Sequence, residues 1–215
     1  MKVLAALFGL LIGASICIAQ STGSLTQSAG MDFYPNGGKI SANAHPAEPV
    51  LSLDQLVGMS KLIVDATVLS NFPPVSADPD SDVPSALTES LVSVTEVLAG
   101  TLPGGTRTIL MIQQGGKVGR WEFVSEDDPL LKSGERYILF LWPDYMKQRP
   151  NNTPYPRYWP VGIFSGKAKI ENGKVQFLPI TLPRLRELNN TDVNAFIATL
   201  HDKISFHIPE LKPRP

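Results

Sequence analysis

Oxygen-bearing side chains crowd into Asp78-Pro79-Asp80-Ser81-Asp82, and Glu89 follows seven residues later. Calcium takes several oxygen ligands, and an EF-hand loop draws them from positions 1, 3, 5 and 12. Counting from Asp78 puts Asp80, Asp82 and Glu89 at those positions. Position 6 of such a loop turns with positive φ and calls for glycine. Here it is Val83, a β-branched residue, with Pro79 and Pro84 on either side. The expectation is a solvated acidic loop and no resident metal, with Asp78, Asp80, Asp82 and Glu89 as the only calcium candidates.

A second cluster is aromatic and basic. Between Trp142 and Pro160 lie Tyr145, Tyr155, Tyr158 and Trp159, among Lys147, Arg149 and Arg157, with several prolines. Aromatic faces and cations on a stiffened loop suit stacking against sugars, bases or peptide side chains. The alternative is that the rings pack inward and pin the loop. The ligand-binding candidates are Tyr155, Tyr158 and Trp159, with Arg157 as the group that orients recognition.

Other patterns fail on spacing. Gly115-Gly116-Lys117-Val118-Gly119 lacks the phosphate-loop spacing and reads as a turn. Glu122, Glu126, Asp127 and Asp128 are enough for a carboxylate pair, but nothing adjacent would raise a carboxyl pKa. His45, His201 and His207 are scattered, and no H-E-x-x-H occurs. There is no G-x-S-x-G elbow and no S-x-x-K pair. No catalytic residue and no cofactor are assigned. Asn151 and Asn189 stand in N-x-T sequons, which matter only in a eukaryotic secretory pathway.

The elements that position these groups are mostly strands. Ser52-Leu53-Asp54-Gln55 is a capping-box pattern opening a helix over Leu53 to Met59. Strands are predicted over Lys61 to Ser70, Leu87 to Leu98 and Thr106 to Gln114. Tyr137 to Leu141 is continuously apolar, so the strand from Arg136 to Trp142 should be buried on both faces. Val161 to Ile170 and Lys174 to Leu178 flank Glu171-Asn172-Gly173, and Asn-Gly between such runs signals a hairpin. Val193, Phe196, Ile197, Leu200 and Ile204 form one apolar stripe on a helix from about Thr191 to Ile204. Asn71 to Ala86 and Pro143 to Trp159 are left as the two long loops.

The N-terminus has the parts of an export signal. Lys2 is followed by an apolar run from Val3 to Ile12, and Cys17-Ile18-Ala19 places small residues where a signal peptidase reads. The expected division is signal peptide 1–19, flexible leader 20–50, folded domain 51–208 and tail 209–215. Lys+Arg number 19 and Asp+Glu 20, so removing Lys2 leaves a formal charge of about −2. That balance argues against nucleic acid and against an anionic lipid surface. Cleavage also removes Cys17, the only cysteine, so no disulfide or thiolate would remain. No later apolar run is long enough to span a membrane.

These elements, five or six strands with a helix near each end, predict a mainly β protein built on a small barrel of oligomer-binding (OB) type. The run "SLDQLVGMSKLIVDATVLS … TESLVSVTEVLAGTLPGGTRTILMIQQGG … LKSGERYILFLWPD … WPVGIFSGKAKIENGKVQF" resembles secreted bacterial domains. More distantly it is similar to the netrin-like modules that include tissue inhibitors of metalloproteases. The resemblance spans Ser52 to Phe177 and implies a netrin-type OB barrel. Those inhibitors chelate their target's zinc through an N-terminal cysteine, which the mature chain would lack, so that mechanism is not implied here.

The sequence reading is a secreted or periplasmic, non-catalytic binding module for an extracytoplasmic protein, peptide or glycan. The alternatives are an extracellular hydrolase with loop carboxylates and an envelope structural protein. In an OB fold, ligands lie along the second and third strands between the loops joining strands 1 to 2 and 4 to 5. The two long loops fall at those joints.

Overall fold

The computed structural model describes residues 38–42, 52–76, 86–125, 128–145, 153–162, 165–177 and 183–207. The export signal, the Asp78–Asp82 run, Glu126, Asp127, Lys147, Arg149, His45 and the tail lie outside the described residues. In chain order the elements begin with β1 (Gly38–Ala42), α1 (Leu53–Met59), β2 (Leu62–Asn71), β3 (Val75–Ser76) and β4 (Ala86–Gly100). Next come β5 (Thr108–Gln114), β6 (Gly116–Val118), β7 (Trp121–Ser125) and β8 (Arg136–Pro143). The last are β9 (Arg157–Pro160), β10 (Lys167–Glu171), β11 (Lys174–Phe177), a single turn α2 (Pro183–Arg186) and α3 (Val193–His207).

Five strands close on themselves. β8 pairs with β2, β2 with β4, β4 with β5, β5 with β9, and β9 returns to β8. All of these pairings are antiparallel except β5–β9, which is parallel. Counted along the chain, the ring runs 1-2-3-5-4-1, so the barrel is of the expected OB type. Closing so small a ring requires sharp strand curvature, and β2–β4 supplies it with three register shifts along its length. β10 and β11 extend the sheet from the free half of β8, and β3 adds to β4.

Alternation along β2 and β8 divides the core in two. Leu62, Val64, Ala66 and Val68 join Tyr137, Leu139 and Leu141 inside the barrel, with Val92, Val94, Ile109, Met111 and Tyr158. Ile63, Ile138 and Phe140 face the other way, into a second core beneath α1 and α3. β8 is therefore buried on both faces, as its unbroken apolar run implies. The capping box forms as predicted: Gln55 N–H donates to Ser52 Oγ, and Ser52 N–H donates to Gln55 Oε1 at 2.8 Å. The α3 stripe places Val193, Phe196, Leu200 and Ile204 in the outer core. Asn172 and Gly173 both have positive φ (52° and 73°) and close the β10–β11 hairpin.

Three segments differ from the sequence reading. The strand expected over Val161 to Ile170 begins only at Lys167, and a separate strand, β9, ends just before it at Pro160. Gly162 has φ 61°, and a Cβ on Gly166 would lie 2.6–2.8 Å from backbone atoms of Val161 and Phe140. The chain can make this close approach only with glycine there. The upstream piece, β9, begins at Arg157, inside what the proline pattern marked as a loop. The region after Gly115 is not a simple turn, because β6 and β7 form a hairpin there. β1, inside the stretch read as leader, pairs in parallel with β7.

Candidate functional site: an aromatic platform over a buried ion cluster

β9 decides the fate of the aromatic residues. Tyr158 is opposite Met111 and Arg157 opposite Leu110 on β5, and successive strand residues face opposite sides. Tyr158 therefore enters the barrel, where it is 4 % exposed, while Arg157 and Trp159 face outward. Burial pushes the Tyr158 phenol pKa up, and the nearby Tyr145 phenol adds to the rise. As a core residue, Tyr158 does not offer its ring to a ligand.

Arg157 does not reach solvent either, being 7 % exposed. Its Nη2 is 2.6 Å from Glu89 Oε1 on β4, and its Nη1 is 3.0 Å from Asp144 Oδ2 just beyond β8. Asp144 Oδ1 accepts a hydrogen bond from Trp159 Nε1 at 3.2 Å. The Asp144 N–H donates to the Arg157 carbonyl at 2.8 Å, which fixes the chain where the carboxylate leaves it. Arg157 is thus linked to Trp159 through Asp144 from beneath the surface.

Of the calcium candidates only Glu89 lies among the described residues, where its carboxylate is on a barrel strand, 1 % exposed and engaged by Arg157. Among the described residues no group of three His, Cys, Asp or Glu is placed to hold a metal ion.

The exposed aromatic surface lies one register step from this cluster. Trp142 on β8 is the direct cross-strand partner of Trp159 on β9, so both indoles share the outer face. Trp142 is 41 % exposed and Tyr145 is 74 % exposed. Their ring centroids are 6.4 Å apart with planes at 81°, an edge-to-face pair. Lys61 Nζ lies 5.6 Å from the Trp142 ring centroid, within cation–π range. The Lys61 N–H donates to the Leu141 carbonyl at 2.9 Å, which ties this lysine to β8. Tyr155 is half-buried beside the patch's strand, outside the described contacts of the platform.

Of the four residues read from sequence, then, Trp159 reaches the platform, Arg157 and Tyr158 lie below it, and Tyr155 stands apart. Lys61, Trp142 and Asp144 went unread as site residues. A signal for Trp142 existed in the period-2 run Ile138, Phe140, Trp142, the outward face of β8. Nothing local to Lys61 or Asp144 marks them.

Of the carboxylates considered for hydrolysis, only Glu122 and Asp128 lie among the described residues, and they sit in different surroundings. Glu122 is exposed on β7, whereas Asp128 is buried against Lys167. Burial raises the Asp128 carboxyl pKa despite the pull of Lys167, and burial also lowers that of the Lys167 ammonium. Gln113 and the Pro129 carbonyl complete this inward-facing polar group. A shallow surface groove of about 440 Å³ is lined by Asp54, Asp202, Lys203 and Phe206 at α1 and α3, with no platform residue. Among the described residues no helix is long and apolar enough to cross a membrane.

The fold and this surface define a mainly β protein with a closed five-stranded OB-type barrel and an exposed aromatic platform on its β8–β9 edge. No protein-family model matches the chain, and a search of curated proteins finds no similar sequence.

Proposed function

We propose that the chain is a secreted or periplasmic, non-catalytic binding module whose platform of Trp142, Tyr145 and Trp159 takes a glycan. The observation that carries this reading is the cross-strand Trp142–Trp159 pair with Tyr145 set edge-on to Trp142, all on or beside barrel strands. Sugar rings present C–H faces that pack on aromatic rings, and a flat or angled pair of rings suits one or two such units. Rings held by strands and by the Asp144 hydrogen bond lose little freedom on binding, so more of the contact energy appears as affinity. Nucleic acid also stacks on aromatic side chains, but it requires a basic groove that a near-neutral chain does not supply. The netrin-like resemblance is compatible with a binding role and adds no ligand identity.

The test uses the exported chain. Immobilised polysaccharides and native envelope material are offered to it, and bound protein is followed by intrinsic tryptophan fluorescence. Trp142→Ala, shown folded by circular dichroism, should lose about 2 kcal/mol of binding, roughly a thirtyfold fall in affinity. Full retention of glycan by the folded variant overturns the reading. Retention of a protein in place of a glycan reassigns the surface to a protein partner.

A further inference from the structure

The hydrogen-bonding inventory of the platform is one-sided. Lys61 brings an ammonium with three donors and no acceptor, Trp142 an indole N–H that only donates, and Tyr145 a hydroxyl. The carboxylate nearest the rings, Asp144, is turned away from the surface: its side chain is 2 % exposed, with one oxygen toward Arg157 and the other toward Trp159. Lys61 is exposed and takes part in no ion pair among the described residues, and its ammonium is held over the Trp142 ring. A sugar packed on the aromatic surface beside Lys61 therefore meets an ammonium, while the Asp144 carboxylate is turned away from it.

We propose that the platform selects a carboxylate-bearing sugar of the uronic-acid type, with the pyranose ring on Trp142 and its carboxylate against the Lys61 ammonium. This rests on the glycan reading above and deepens it. Arg157 has an indirect part, because it draws the Asp144 carboxylate inward, away from where a sugar carboxylate would sit. A neutral sugar would leave the Lys61 charge partly desolvated without a counter-ion, whereas an acidic one satisfies it with a charge-assisted hydrogen bond. The Lys61 ammonium is at the surface, so added salt must weaken the preference.

The experiment compares an oligogalacturonate with the same oligomer after its carboxyl groups are reduced to alcohols. Both are titrated into the exported chain by calorimetry at low and at high ionic strength. The expected result is an affinity for the acidic oligomer about tenfold above that for the neutral one, or about 1.4 kcal/mol. The gap should narrow at high salt. It should vanish in Lys61→Gln and persist in Lys61→Arg. Equal affinity for both oligomers in the unaltered protein overturns the inference and leaves the glycan reading standing. So does an acidic preference that survives in Lys61→Gln. Loss of both affinities in Trp142→Ala belongs to the platform itself; failure of the unaltered protein to bind either oligomer overturns the inference, and the polysaccharide test above then decides the glycan reading.

Discussion

Replacing Arg157 with methionine isolates the energetics of the buried cluster. Methionine keeps much of the length of the side chain but removes its charge and its donors. Glu89 and Asp144, with side chains 1 % and 2 % exposed, would then stay buried without the guanidinium that now lies 2.6 Å and 3.0 Å from their oxygens. Removing one partner of a buried ion pair costs about 3–5 kcal/mol, because the remaining charge is left in a medium that solvates it poorly. That is a large share of the roughly 5–15 kcal/mol that holds a typical domain together. For a domain of this size it lowers Tm by about 6–20 °C, at roughly 2–4 °C per kcal/mol. Urea unfolding followed by circular dichroism should show the midpoint falling with the slope unchanged. Trp159 emission should shift to the red as its hold through Asp144 loosens. Adding Glu89→Met to Arg157→Met should recover about half of the loss or more, since one stranded carboxylate goes with it. A folded Arg157→Met that loses less than about 1 kcal/mol would refute the reasoning, because the cluster would then be solvated and could not fix the platform.

The second buried pair should respond in the same way. Lys167→Met leaves Asp128 buried without its partner and should cost about 3–5 kcal/mol in urea unfolding, whereas Lys167→Met with Asp128→Leu should recover most of it. The acid limb of stability should depend on Glu135. Burial raises its carboxyl pKa, but hydrogen bonds from Tyr137 (2.5 Å) and Lys169 outweigh this and leave it below the ordinary 4.5. A depressed folded-state value means that its contribution is full above pH 4.5 and is lost as pH falls through the folded value. Glu135→Gln should therefore flatten stability against pH in that acid window and leave the slope at neutral pH unchanged.

Local pattern made much of the fold legible. Asn172-Gly173 marks its hairpin because two successive positive φ angles require those residues. The run Tyr137 to Leu141 marks a strand with a core on each side, and the Ser52 cap and the α3 stripe mark their helices. β9 was hidden because Pro154, Pro156 and Pro160 give its neighbourhood the composition of a loop. Its pairing is with β5 and β8, strands that no local signal connects to it. The ion cluster was illegible for the same reason. Glu89 and Arg157 come together only through barrel closure, so an acidic residue beside a proline-rich loop and an arginine among tyrosines read as two unrelated surface features. Trp159 is marked by its type, while Trp142 reads as a strand terminus, because register and not sequence proximity puts the two side by side.

The most direct test of the platform is a calorimetric titration of an acidic oligosaccharide into the chain and into folded Trp142→Ala, with the indole N–H resonances of Trp142 and Trp159 followed by NMR. Saturable binding that moves both resonances and weakens about thirtyfold in the variant is the predicted result. Binding that leaves both indole resonances in place and is equally tight in the variant would contradict the account.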